Sequence, residues 1–379
     1  MDTELQRTRL YGEHLALGAR MVEFAGWELP VHYEATGALK EHRAVREAAG
    51  LFDIDHMGQI SVTGPDAGAF LNEMLTADIG VMPEWGTQYA MLPYEDGGLV
   101  DDVMVYRLPD AWWVIVNAAN RGKDLDWLNA HADAYDVAVE DISDETYMLA
   151  LQGPKARVIL QKLIRLDLSA LPYHTAARAE VAGVPMLIAA VGYTGEYGYE
   201  LYFPAEQAVR AWRALLEAGR SEGLLPCGLA ARDSLRFEAA LPLYGHELGP
   251  NIDPFTAGLG VFVQFDHRAF IGHDALLKIK LEGPVKKLVG FEMVEPAVPR
   301  AGYPVLIDGQ EVGTVTSGMK APTLDKFLGM ALVPAQYAVP GMEIEIVVRD
   351  KPKKAVIVKR PFYRPAYRRK EEGEQRKAA

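Results

Sequence analysis

Cysteine is nearly missing from this 379-residue chain, in which Cys227 stands alone. One thiol excludes an internal disulfide and any metal site built on clustered cysteines, and it suits a reducing compartment. Within PCGLAARD it reads as a small buried side chain. Long apolar runs are missing too. The opening MDTELQRTRL holds no apolar signal segment, and stretches such as PMLIAAVGY fall far short of the roughly 20 residues that span a bilayer. The expectation is a soluble, cytoplasmic protein with no membrane contact. Basic residues are outnumbered, 39 against 52 acidic ones, and the net charge of −13 speaks against a general DNA or RNA binder. The histidines are scattered, without HExxH or paired spacing, so no catalytic metal is expected, and no G-x-S-x-G elbow occurs.

What is present is apolar substance, 49% hydrophobic and 9% aromatic residues, enough for large cores and two or three domains. The segment GALKEHRAVREAAG has helical spacing at Leu39, His42, Val45 and Ala49 and is expected to stop at Gly50. LFDIDHMGQISVTG then alternates like a strand. A helix over PDAGAFLNEMLT, strands around TQYAMLPY, LVDDVMVYRL and AWWVIVNAA, and a helix over RGKDLDWLNAHAD follow. A similar order recurs between about residues 146 and 240. Hairpin-length gaps favour two α+β units with antiparallel sheets over a doubly wound parallel sheet. After about residue 284 only strands and Gly/Pro turns remain, which reads as an all-β barrel or roll, and RRKEEGEQRKAA reads as a disordered end.

Three stretches attract attention as chemistry. In EDGGLVDDVMVYR, two adjacent carboxylates sit on a strand, whose successive side chains face opposite ways. Alternation groups Asp102 with Val100, Met104 and Tyr106, and Asp101 with Val103, Val105 and Arg107. A carboxylate on an apolar, aromatic face needs a partner or a ligand, whereas one beside an arginine is accounted for by a surface ion pair. GYTGEYGYEL lacks the G-x-G-x-x-G spacing and leads into a strand, which disfavours a phosphate loop. It is either a plain tight hairpin or one whose backbone lets a flat heterocycle approach, with Tyr193 stacking on it and Glu200 accepting its hydrogen bonds. CGLAARDSLRFEAALPLYGHEL starts a helix with Arg232 and Arg236 on one face, beside Asp233 and Glu238. His56 reads as a hydrogen-bonded structural histidine rather than a base.

Together with GARMVEFAGWELPVHY, GLFDIDHMG, VNAANRGKDLDWL, LQGPKA, LPLYGHEL and VTSG followed by APTLD, these stretches resemble the T-protein, or aminomethyltransferase, family of the glycine cleavage system. The resemblance runs from about Leu10 to about Lys370. It implies a three-domain cloverleaf around a central folate channel. Residues 1–56 and 144–239 would form one α+β, ferredoxin-like domain, and residues 57–143 and 240–283 a second, folate-binding one intertwined with it. Residues 284–370 would form a barrel or jelly-roll-like domain, and 371–379 a disordered tail. The catalytic aspartate of the family corresponds to Asp102. By the same resemblance Tyr89, Tyr106 and Asn117 line the channel, Tyr193 packs near the pterin, Glu200 accepts from its amino-pyrimidine edge, and Arg232 holds the pterin region. Arg368 would meet the folate or the partner protein. The implied reaction moves the one-carbon unit from the aminomethyl-dihydrolipoyl arm of H-protein to tetrahydrofolate, leaving ammonia and 5,10-methylenetetrahydrofolate.

Asp55, the run His246, Glu247 and Leu248, and SGMKAPTL depart from the family pattern near segments expected to form the channel. A tetrahydrofolate-dependent demethylase on the same scaffold is the alternative. A non-enzymatic folate-binding protein of iron–sulfur maturation is less favoured, because the Lys-Gly-Cys-Tyr motif of such proteins is absent. Arg360, Arg364, Arg368 and Arg369 are read as a basic patch that helps dock an acidic carrier.

Overall fold

The computed structural model describes residues 4–266 and 269–368. The fold is α+β in its first two thirds and a closed barrel after that. One six-stranded sheet has the order Ala176–Val181, Val184–Ala189, Gly198–Pro204, Thr146–Gln152, Ala49–Asp53, Leu224–Cys227, and only the last pair is parallel. A five-stranded antiparallel sheet has the order Thr87–Pro93, Leu99–Arg107, Trp112–Val116, Gly58–Thr63, Ala138–Asp141. The chain crosses between these sheets and back, so each is built from segments distant in sequence.

LFDIDHMGQISVTG is therefore two strands in two sheets. Ala49–Asp53 belongs to the first and Gly58–Thr63 to the second. The helix before it, Gly37–Glu47, ends earlier than the sequence suggested, and Gly50 lies in a strand. A Cβ on Gly50 would come within 2.5 Å of Val45 and 2.7 Å of the Cys227 sulfur, so the glycine serves close packing instead of stopping a helix. On that helix His42 and Val45 are buried while Leu39 is exposed. Residues 19–33, given no element from sequence, form a hairpin of Ala19–Phe24 and Trp27–Tyr33, turning at Ala25 and Gly26 with φ of 52° and 83°. Two positive φ values are what a two-residue hairpin of the primed kind requires.

Each sheet buries one face under helices. Trp212 and Leu215 of the amphipathic helix Ala208–Gly219 pack on Leu149, Leu151 and Leu201 of the first sheet. Phe70, Leu71 and Met74 of the helix Ala67–Met74 pack with Val62, Val105 and Val114 of the second. The barrel runs Lys286–Met293, Lys326–Pro334, Gln310–Ala321, Pro304–Ile307, Glu343–Val348, Lys351–Val358 and closes where the first and last of these pair, which leaves no open edge. Among the described residues no helix is long and apolar enough to cross a membrane.

Candidate active site

The strand Leu99–Arg107 lies inside its sheet, between Thr87–Pro93 and Trp112–Val116. Of its two carboxylates, Asp102 lines a cavity and Asp101 does not. Asp101 is fully buried and accepts from the Asn117 backbone N–H at 2.9 Å, from Asn117 Nδ2 at 2.8 Å and from Asn120 Nδ2 at 2.6 Å. It is not an ion-pair partner of Arg107, which donates to the Met82 carbonyl instead. A register shift between Leu92 and Pro93 opposite this strand breaks strict alternation, and Val100 joins Val103 and Val105 in the core instead of sharing the Asp102 face.

Asp102 lines a cavity of about 1080 Å³. The second sheet supplies Tyr89, Asp102 and Met104, the first sheet Glu200, the loop before it Tyr193, the helix Leu229–Glu238 Arg232 and Arg236, and the barrel Ser317 and Met319. Asn117 and Arg368 also reach it. The Tyr89 hydroxyl donates to Oδ2 of Asp102 at 3.0 Å and Asn117 Nδ2 donates to Oδ1 at 2.9 Å. Burial and the neighbouring Asp101 push the Asp102 carboxyl up to about 7, while the bonds from Tyr89 and Asn117 pull against that. A carboxyl poised there exchanges a proton readily near neutrality.

Glu200 sits across the β hairpin from Ala189, and its Oε2 accepts from the hydroxyls of Tyr202 at 2.9 Å and Tyr106 at 3.2 Å. Tyr106 is fully buried and stands behind the cavity wall, so the expectation that it lines the channel is corrected: it braces Glu200. Tyr202, which sequence reasoning passed over, does the same job, and its place two residues after Glu200 on one strand was the available signal. Tyr193 donates to the Pro242 carbonyl, and the Arg232 guanidinium lies 4.8 Å from its ring centroid. Burial lowers the pKa of Arg232, and no ion pair to it forms among the described residues. A half-buried cation without a carboxylate partner, beside a braced carboxylate and aromatic walls, fits a ligand that carries both acceptors and donors.

His56 lines the cavity but is not the hydrogen-bonded histidine expected, since its Nδ1 has no partner among the described residues. Burial and the charge of Arg232 hold it down to about 3, so the ring is neutral and a poor base. Of the departures from the family pattern, His246 and Met319 line the cavity, whereas Glu247 is buried and accepts from Arg236 at 2.9 Å. Asp55 lies away from the cavity and accepts from the Met148 N–H. The basic C-terminal residues do not form one outward patch. Arg360 turns in to the Leu288 carbonyl at 2.8 Å, and Arg368 bonds the Gly195 carbonyl at 3.0 Å with Tyr173 and Tyr197 against its guanidinium. Arg364 is exposed, while Arg369 and the tail 371–379 lie outside the described residues.

Residues 10–267 match the GCVT N-terminal domain and residues 286–364 the glycine cleavage T-protein C-terminal barrel domain. The chain belongs to the glycine cleavage T-protein family. It is 49% identical over 377 residues to an aminomethyltransferase of Symbiobacterium thermophilum, covering 97% of this chain and 100% of that protein. It is 48% identical to the aminomethyltransferase of Geobacillus kaustophilus, covering 96% and 100%. The crystal structure of glycine cleavage system aminomethyltransferase T from Bartonella henselae superposes with a TM-score of 0.89 at 33% identity, over 95% of this chain and 99% of that one. The three-part T-protein fold and its barrel are thus shared well beyond local motifs.

Proposed function

We propose that this T-protein transfers the one-carbon unit of an aminomethyl-dihydrolipoyl H-protein to tetrahydrofolate, releasing ammonia, and that Asp102 is its catalytic residue. The observation that carries the reading is the Asp102 carboxyl, held by Tyr89 and Asn117 on the wall of the same cavity as Glu200 and Arg232. Tetrahydrofolate, when bound, supplies the amine that accepts the carbon. Glu200, braced on one oxygen, keeps the other for the amino-pyrimidine edge, and Tyr193 and Arg232 form the flat, cationic wall beside it. Asp102 relays a proton and stabilises positive charge developing at the transferred carbon. Arg368, anchored on the Gly195 carbonyl and two tyrosine rings, contributes a charge at the same cavity for folate or carrier.

The reading assigns residues 57–143 and 240–283 to the folate-binding unit, residues 1–56 and 144–239 to its intertwined partner, and residues 284–370 to the barrel domain. The sheet memberships Ala49–Asp53 with Thr146–Gln152, and Gly58–Thr63 with Ala138–Asp141, support that exchange. It includes a cytoplasmic location, in keeping with the single buried thiol of Cys227. The experiment is direct: purified protein, aminomethylated lipoyl H-protein and tetrahydrofolate are expected to give ammonia and 5,10-methylenetetrahydrofolate in equal amounts, and slow release without folate. No ammonia from H-protein, with 5-methyltetrahydrofolate formed from a methylated donor, would overturn it.

A further inference from the structure

Asp124 sits on the helix Arg121–Ala130, which packs against the strand that carries Asp101 and Asp102. Its side chain is fully buried, and neither carboxyl oxygen meets an N–H or O–H donor among the described residues. The neighbour that acts most strongly on its charge is another carboxyl, that of Asp101. Two ionised carboxylates coupled in this way, away from water, repel each other with nothing to offset the loss of hydration. One proton shared between them removes the conflict.

Which of the two keeps that proton follows from their surroundings. Asp101 receives three N–H bonds, from the Asn117 backbone, the Asn117 side chain and Asn120, and these favour its charged form. Asp124 receives none, so the charge belongs on Asp101 and the proton on Asp124. The other titratable groups facing the pair are Asp102 on the strand of Asp101, Lys123 on the helix of Asp124, and the phenols of Tyr89, Tyr94 and Tyr244. Lys123 pulls against a protonated Asp124 through its charge but forms no ion pair with it among the described residues, its ammonium donating to the Val100 carbonyl and to the Tyr244 hydroxyl at 3.1 Å.

We propose that Asp124 is a positioning residue of the reaction, a neutral acid whose hydroxyl donates to Asp101 and, through Asp101 and Asn117, fixes the carboxylate of Asp102. This rests on the reading of Asp102 as the catalytic residue. Asn117 is the link, since its Nδ2 reaches Asp101 Oδ1 at 2.8 Å and Asp102 Oδ1 at 2.9 Å. The orientation of that amide is set by the charge on Asp101, and the direction of the Asp101 carboxylate is set in part by Asp124. A neutral Asp124 also leaves a single negative charge behind Asp102 instead of two. In keeping with this, burial and the charge of Asp101 hold the Asp124 carboxyl up to about 11.

Two substitutions and one spectrum test the proposal. Asp124→Leu removes the donor and puts a somewhat bulkier apolar side chain in its place, and it is expected to lower kcat by roughly tenfold with KM little changed. Asp124→Asn restores a neutral donor and is expected to rescue most of that loss, with the acid limb of the kcat/KM profile where it is in the unsubstituted enzyme. If Asp124 were ionised, the same Asn substitution would delete a negative charge beside Asp102 and move the limb to lower pH, which overturns the proposal. Unaltered kcat in Asp124→Leu overturns the positioning role. The spectrum needs no substrate and so stands apart from the reaction assignment. In the infrared difference between unliganded wild type and Asp124→Asn at about pH 8, well above ordinary carboxyl values, a protonated-carboxyl C=O band is expected from the wild type alone. Asp55 contributes to both samples and cancels. Absence of that difference band overturns the neutral-acid assignment even if the enzyme is active.

Discussion

The hydroxyl of Tyr89 lies 3.0 Å from Oδ2 of Asp102, so one oxygen of the candidate catalytic carboxylate is engaged before any ligand arrives. That bond lowers the pKa of Asp102, against burial and Asp101, which raise it to about 7. Tyr89→Phe removes the lowering contribution, so the Asp102 midpoint should rise. The ionised form then becomes scarcer near neutrality and the acid limb of kcat/KM moves to higher pH. A hydrogen bond to a charged group is worth about 1.5–3 kcal/mol, so activity at pH 7 should drop by roughly an order of magnitude or more. A limb that stays in place after the substitution would show that Tyr89 does not govern this ionisation.

The adjacent acids should separate cleanly by measurement. Asp102→Asn is expected to lower kcat by about 100-fold or more with the melting temperature little changed, the scale of a positioned acid–base group. Asp101→Asn should lower the melting temperature, because three N–H donors lose their ionised acceptor, and cost less turnover. The assignment fails if Asp101→Asn is the more damaging of the two to turnover while its fold remains intact.

Glu200 and the two phenols behind it make a graded series. Glu200→Ala should weaken tetrahydrofolate binding by about 1.5–3 kcal/mol in calorimetric titration. Tyr202→Phe and Tyr106→Phe each free Glu200 from one donor and should weaken binding less, with the double variant approaching Glu200→Ala. Wild-type affinity in Glu200→Ala would remove the residue from the folate site.

Asp55 offers a prediction about stability instead of rate. Burial and the charge of Asp53 raise its carboxyl from 3.8 to about 9. The folded state therefore binds this proton more tightly than the unfolded one. The stabilisation this gives is fully present below about pH 3.8 and is lost as pH rises from there through about 9. Asp55→Asn abolishes that dependence, so the variant should melt higher than wild type at pH 8 and closer to it at pH 4. Equal melting temperatures at pH 8 would mean that Asp55 ionises normally in the fold.

Much of the site was written locally in the chain. The adjacency of Asp101 and Asp102 on a strand is enough to give them different surroundings, because a pleated backbone alternates its side chains whatever it packs against. The glycines around Tyr193 and Glu200 and the start of the helix bearing Arg232 are equally local, and so is the change from α+β to all-β near residue 284. What the sequence could not decide was which distant segments meet. The register shift that moves Val100 off the Asp102 face depends on the neighbouring strand, Thr87–Pro93. The family resemblance implied that Tyr106 lines the channel, yet the phenols of Tyr106 and Tyr202 meet at 2.8 Å because the two sheets pack together over one shared core, and this places Tyr106 behind Glu200. Gly50 resembled a helix stop until Val45 and Cys227 were found against it. The inward turn of Arg360 and Arg368 depends on carbonyls supplied by Leu288 and Gly195, 72 and 173 residues away in the chain. Alternation and helical spacing follow from covalent geometry within a few residues, whereas burial, pairing and proton affinity are set by groups that only the folded chain brings within a few ångströms.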